Sequence, residues 1–337
     1  MNTNIITVTG LKKRFNLEAG FFGSFGRFVY AVNGISFTIG KNESVGLAGE
    51  SGCGKTSAAR LLIRMYERDA GEIRYFDDDI NAYQKEELKR YRQKIKYVFQ
   101  DPARSLDPRM SVYQILVSGV RHSQLWPGKK QARQRAASIL EEAGLSAGDL
   151  DRRPAEFSGG QRQRIAIARG LFVVPELLIC DEVVSALDVS IQGQILNLLL
   201  DIREKHNLSF LFIAHDLKIA SWFCDRIIIM YQGEIMESAP ARDLYKNTRH
   251  PYTRLLFSAA PSINNSSNNS SNNSSSAAGK VLPFPKAKDL SGEARTTLAV
   301  SEGCAFAGRC PLSQKRCFLE KPGLSQDGAH EWRCFCS

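Results

Sequence analysis

The stretch GESGCGKT, Gly49 to Thr56, satisfies the pattern G-x-x-x-x-G-K-[ST]. Its surroundings suit that pattern: the apolar run Val45–Ala48 precedes it, and the helix-compatible KTSAARLLIRMYE follows from Lys55. The chemistry accounts for each fixed position. Gly49, Gly52 and Gly54 let the backbone turn tightly, so that several N–H groups face phosphate oxygens. The helix start adds free N–H donors and the positive end of a dipole. Lys55 is expected to bridge β- and γ-phosphates, and the Thr56 hydroxyl to ligate Mg²⁺. Glu50, Ser51 and Cys53 fill the variable positions, and Ser57 completes the candidate nucleotide-binding set.

Working outward, the chain alternates short apolar runs with longer helical stretches from Ile35 to about Ile235. ESVGLAGE, KYVFQ, ELLICDE, SFLFIAHD and DRIIIMY read as buried strands that end in polar residues. Strand–helix alternation predicts a mostly parallel α/β sheet. Residues 101–169 carry more helix signals, with KKQARQRAASILEEAGL the clearest amphipathic segment, and read as a helical insertion. LLICDE places two acids at a strand end: Asp181 to hold Mg²⁺ and Glu182 to polarise an attacking water.

FSGGQRQRIAIARG, Phe157 to Gly170, opens a basic amphipathic helix with Ser158 as N-cap. Gly159 and Gly160 permit close approach of a phosphate to the helix start. With Gln161, this run closely resembles the signature motif of ATP-binding-cassette (ABC) ATPases. Other elements stand in the family's order: Phe15 at the position of the adenine-stacking aromatic, Gln100 as the Q-loop glutamine, Asp188 in the D-loop SALD, and His215 as the switch histidine. The resemblance covers roughly residues 5–240. It implies an α/β P-loop NTPase core with a mostly parallel sheet, an antiparallel β subdomain and a helical insertion. It also implies catalytic roles for Glu182, His215 and Gln100, with Thr56, Gln100 and Asp181 around Mg²⁺. The composite site closes only when the signature helix of a second ATPase subunit covers the γ-phosphate.

VFQDPARSLDPRMSV, DEVVSALDVSIQGQILNLL and RHPYTRLLFSAAP resemble the oligopeptide/dipeptide/nickel group of bacterial importer ATPases, in the second of its two subunit types. That likeness implies peptide import, with nickel or metal-chelate import as the alternative. The implied partners are a second ATPase subunit, two permease subunits and an extracytoplasmic binding protein reached through them. The expected location is peripheral, on the cytoplasmic face of the inner membrane. Val183 departs from the group, replacing the proline that usually follows the catalytic glutamate.

A formal charge of +10 suits either nucleic acid or an anionic membrane surface. The rival class, a non-transport ABC ATPase acting on nucleic acid, usually carries two cassettes, a long coiled coil or C-x-x-C zinc modules. One cassette, no sustained heptads and no C-x-x-C pair argue for transport and against direct nucleic-acid binding. No apolar run approaches the roughly 18 residues of a spanning helix, and no secretory leader is expected at the N-terminus.

Five of the eight cysteines lie in the last few dozen residues, beginning with GCAFAGRCPLSQKRC at Gly303. A cytosolic chain disfavours disulfides. Thiolates at Cys304, Cys310, Cys317 and Cys334 suit either Zn²⁺ or a [4Fe–4S] cluster, with unliganded thiols the third option and Cys336 the spare, able to swap with Cys334. Zinc's usual short cysteine spacing is missing, and some members of the resembling family carry an iron–sulfur cluster here, so the cluster is expected ahead of zinc. The organisation expected is an ATPase domain over 1–261, an Asn/Ser-rich flexible linker over 262–279 and a Cys-rich tail over 280–337.

Overall fold

The computed structural model describes residues 4–16, 28–259 and 302–336; the Asn/Ser tract lies outside them. Twelve strands follow in chain order. They are β1 (Asn4–Asn16), β2 (Phe28–Gly40), β3 (Ser44–Ala48), β4 (Ala70–Tyr75), β5 (Asp78–Asp79), β6 (Ile95–Val98), β7 (Leu177–Asp181), β8 (Ser209–Ala214), β9 (Arg226–Tyr231), β10 (Glu234–Pro240), β11 (Ser325–Asp327) and β12 (His330–Trp332). The helices are α1 (Lys55–Leu62), α2 (Lys85–Lys94), α3 (Pro102–Ser105), α4 (Val112–Val117), α5 (Lys129–Glu142), α6 (Gly159–Leu171), α7 (Val189–His206), α8 (Leu217–Phe223), α9 (Ala241–Leu244), α10 (Pro251–Ala259) and α11 (Lys315–Leu319).

The larger sheet has the order β11-β12-β10-β9-β3-β8-β7-β6. Its β9-β3-β8-β7-β6 portion is parallel. These strands are short, apolar and buried on both faces, as a covered parallel sheet requires. Successive residues face opposite layers. Leu47, Ile179, Leu211 and Ile213 join one core with α1 and the smaller sheet, while Ala48, Cys180, Phe210 and Phe212 join the other with α6, α7 and α8. The smaller sheet, β2-β1-β4-β5, is antiparallel.

The expected strands all form, and the helical stretch lies between β6 and β7 as α3 to α6. In α5, Ala132, Ala136, Ile139 and Leu140 form the buried stripe. One helix is shorter than its sequence suggests: α1 stops at Leu62, because the chain turns at Arg64 with φ +51°. The Arg64 guanidinium then donates to the carbonyls of Ile80 and Tyr83.

The C-terminal segment is joined to the larger sheet. β12 pairs antiparallel with β10, matching Glu237 to Trp332, and β11 extends the edge. Glu237 is fully buried and accepts from the backbone N–H groups of Arg249 and His250, with His330 Nε2 2.7 Å from its Oε1.

Candidate nucleotide site

Four neighbouring strands deliver the candidate residues to one edge of the sheet. The P-loop follows the carboxyl end of β3, His215 that of β8, Asp181 and Glu182 that of β7, and Gln100 that of β6. Ligands of open α/β sheets bind at this edge.

The three loop glycines, given one shared role by the sequence pattern, divide into two kinds. Gly49 and Gly54 are walled in by backbone. Gly49 has φ +149°, and a Cβ there would lie 2.2 Å from the Met230 carbonyl oxygen. Gly54 has φ +108°, and its Cβ would lie 1.9 Å from the Ala31 oxygen. Gly52 differs: it is exposed at the loop's outer turn, and a Cβ there meets nothing within 4 Å. At Gly52 it is the tight turn, with φ +77°, and not close packing that favours glycine. Ser51 is likewise exposed, and Ser57 is half-buried in the first turn of α1.

Lys55 follows at the head of α1, only 4% exposed. Its Nζ donates to the carbonyls of Gly49 (2.8 Å) and Glu50 (2.9 Å) and lies 3.7 Å from Cys53 Sγ. A buried ammonium facing carbonyl dipoles is complementary to a polyanion. Burial pushes the Cys53 thiol up despite the neighbouring ammonium, so it stays neutral.

Asp181 is 2% exposed. Its carboxylate accepts from Thr56 Oγ1 (3.1 Å) and Tyr97 Oη (2.6 Å). Burial, then the adjacent carboxylate, drives the Tyr97 phenol far above its ordinary range and keeps it a donor. The Thr56 hydroxyl and Asp181 thus form the hard-oxygen pair that Mg²⁺ prefers.

Glu182 adopts φ +50°, a left-handed conformation costly for a side-chain-bearing residue and frequent at functional sites. Its N–H donates to the Ile213 carbonyl (3.1 Å), and its carboxylate accepts from Gln100 Nε2 (2.7 Å). Glu182 and the exposed His215 line one cavity of about 60 Å³ together with Ser185 and Gln192. Gln100, Glu182 and His215 are therefore brought together, as are Lys55, Thr56 and Asp181.

The signature residues stand apart from that group. Ser158 and Gln161 cap α6 reciprocally, through Gln161 N to Ser158 Oγ (3.3 Å) and Ser158 N to Gln161 Oε1 (3.0 Å). Ser158 and Gly159 are exposed, whereas Gly160 is buried against Ile191. Asp188 is the exposed residue preceding α7. Phe15, on β1, is half-buried edge-on against Tyr66, with Lys13 Nζ 5.6 Å from its ring centroid.

Sequence reading missed four residues around the P-loop. Tyr97 holds Asp181, and Tyr252 Oη accepts from Glu50 N (2.9 Å). Arg309 donates to both Glu50 carboxylate oxygens (2.8 and 3.0 Å) and to Tyr231 Oη (3.3 Å). All four stand inside the quoted runs KYVFQ, DRIIIMY, RHPYTRLLFSAAP and GCAFAGRCPLSQKRC, but nothing in those runs marks them as neighbours of the P-loop.

Among the described residues, no group of three or more His, Cys, Asp or Glu side chains is drawn together tightly enough to hold a metal ion. No two of the eight cysteines are joined in a disulfide. The tail thiols are nevertheless neighbours. Burial pushes Cys304 up to about 11, reinforced by Cys334 and Cys317; burial does the same for Cys310, reinforced by Cys334, Cys304 and Cys336. A backbone N–H points at each of four sulfurs: Phe306 at Cys304, Leu312 at Cys310, Gln314 at Cys317 and Cys336 at Cys334.

The ABC transporter family matches residues 32–185, and the family described as the oligopeptide/dipeptide transporter C-terminal region matches 236–317. The oligopeptide transport ATP-binding protein OppF of Bacillus subtilis is 44% identical over 262 residues, covering 77% of this chain and 84% of the relative. The dipeptide transport ATP-binding protein DppF of Escherichia coli is 37% identical over 331 residues, covering 98% and 94%. Among solved structures, cbiO1 of Clostridium perfringens, part of the cbiONQ complex, superposes with a TM-score of 0.62 at 25% identity, over 73% of this chain and 92% of that one. The ATP-binding cassette MJ0796, a dimer bound to ADP and Pi, gives 0.61 at 26%, over 70% and 99%. Fold, sheet-edge site and full-length relatives agree: the chain belongs to the ATP-binding subunits of the oligopeptide/dipeptide ABC transporters.

Proposed function

We propose that this chain binds MgATP at the sheet edge and hydrolyses it to power the import of di- or oligopeptides. The observation that carries the reading is the convergence of Gln100, Glu182 and His215 beside the Lys55–Thr56–Asp181 group, in a member of the peptide-transporter family. Lys55 and the loop N–H groups hold the phosphates, with Phe15 on the base. Thr56, Asp181 and Gln100 would hold Mg²⁺, which would supply charge neutralisation at the phosphates. Glu182, oriented by Gln100, takes a proton from water as its oxygen bonds to the γ-phosphorus and the β–γ bridging bond breaks. His215 steadies the γ-phosphate. Ser158, Gly159 and Gln161, exposed at the start of α6, with Gly160 buried beneath them, serve the site of a second ATPase subunit, with Asp188 at the seam.

No helix among the described residues is long and apolar enough to cross a membrane, so translocation falls to partner permeases, fed by an extracytoplasmic binding protein. The chain then works on the cytoplasmic face of the inner membrane. The test is Glu182→Gln. Turnover should fall by about 10²–10⁴, the range of a lost general base, while ATP-dependent association persists. Undiminished turnover in the purified variant overturns the assignment.

What supports a thiolate-bound group in the tail is donor type, since the described side chains are not gathered as a ready ligand set. Four neighbouring sulfurs each receive a backbone N–H, the kind of contact that stabilises metal-bound thiolates. Cys304, Cys310, Cys317 and Cys334 would hold a [4Fe–4S] cluster, in a structural or sensory role because ATP hydrolysis needs no redox centre. Iron and acid-labile sulfide in an anaerobic preparation support this; a colourless, iron-free one refutes it.

A further inference from the structure

We infer that Arg309 is a positioning residue for the P-loop, so that the cysteine-rich tail is one wall of the nucleotide site. The inference rests on the ATP-site reading above but not on what the cysteines bind.

Glu50, the second residue of the P-loop, is held by three contacts from two distant segments. Its N–H donates to Tyr252 Oη, and its two carboxylate oxygens accept from Arg309 Nη1 and Nη2 at 2.8 and 3.0 Å. Its carbonyl in turn accepts from Lys55 Nζ at 2.9 Å, so the residue gripped from the tail also grips the phosphate-binding lysine. The pairing is bidentate, which fixes orientation as well as distance. Both partners are mostly enclosed, with side chains 21% and 24% exposed, so screening is weaker than for a surface pair.

The tail segment is itself anchored. Phe306, 1% exposed, sits against Tyr231 (5.3 Å), Tyr252 (5.2 Å) and His250 (5.9 Å), and the Arg309 guanidinium lies 5.7 Å from the Tyr231 ring centroid. Tyr231 closes β9, whose Met230 carbonyl crowds Gly49. Arg309 thus reaches the loop from a rigid aromatic platform rather than from a free end. Backbone N–H groups that cradle phosphate act only if pre-aligned, and Glu50 is where the tail can set that alignment.

The test titrates the full-length chain with a fluorescent ATP analogue and Mg²⁺, and follows ATPase activity in the same preparations. Arg309→Met should weaken nucleotide binding by about fivefold and raise KM by a similar factor, with kcat within about twofold. Arg309→Lys should recover part of the loss, because it keeps charge but loses the fork. Glu50→Gln should match Arg309→Met, and the double variant should be no worse than either single one, as coupled partners require. Unchanged affinity in Arg309→Met, additive losses in the double variant, or a fall in kcat at constant KM each overturns the inference. Lys55→Ala separates the two readings. If it leaves nucleotide affinity intact, the ATP-site assignment has failed; if it abolishes binding while Arg309→Met binds normally, only the positioning role has failed.

Discussion

At the scale of single residues, burial decides which groups carry charge. His250 is 1% exposed, and its Nδ1 accepts from Tyr252 N at 3.0 Å. Burial lowers its pKa from 6.5 to about 4, so the folded chain holds it neutral. The unfolded chain binds the proton first as pH falls. Stability from this residue is therefore complete above about pH 6.5 and drains away toward pH 4, by about 3 kcal/mol at most. Urea unfolding at pH 7 and pH 5 should show a larger drop for the parent than for His250→Asn, which removes the titration. Equal drops would mean that other groups set the acid response. Tyr97 and Arg309 show why parts of the site escape sequence reading: their carboxylate partners lie 84 and 259 positions away, and no local periodicity links them.

At the scale of elements, legibility follows how each one achieves its burial. The parallel strands bury both faces and read as unbroken apolar runs; β7 and β8 are examples. β1 and β2 are harder, because register shifts near Val8, Leu11 and Lys13 interrupt alternation. β12 and β11, three residues each, exist through pairing, β12 with β10 and β11 with β12, and carry no signal of their own. The signature run was legible, but the division of labour inside it was not. A Cβ on Gly160 would lie 2.8 Å from Ile191 Cγ2, a stiff β-branched neighbour at the start of α7, whereas one on Gly159 meets nothing within 4 Å. Gly160→Ala should cost about 1–3 kcal/mol in denaturant unfolding. Gly159→Ala should leave stability unchanged within about 0.5 kcal/mol, yet lower the ATPase rate of the assembled complex, because its open face is the one offered to a second subunit. Full activity in Gly159→Ala would remove that glycine from the composite site.

At the scale of the whole molecule, the sequence suggests a body and a separate tail, while the described residues form one interlocked structure. The larger sheet continues through β10 into β12 and β11. His330 meets buried Glu237, Lys321 pairs with Glu234, and Phe306 belongs to the same apolar cluster as Ala48 and Phe212. Cys304 and Cys310 flank that phenylalanine, so any group the cysteines hold braces a segment already built into the core. A tail that merely hung from the ATPase body would tolerate damage without troubling the body's melting transition. A tail that completes the core would not. Phe306→Ala empties an aromatic site enclosed by Tyr231, Tyr252 and His250, and core substitutions of this kind cost about 3–5 kcal/mol. The expected outcome is a main thermal transition lowered by several degrees, with bound MgATP restoring part of the loss, because ligand binding stabilises the folded site by mass action. A main transition at the parental temperature, with or without nucleotide, would show that the tail and the ATPase body fold as independent units.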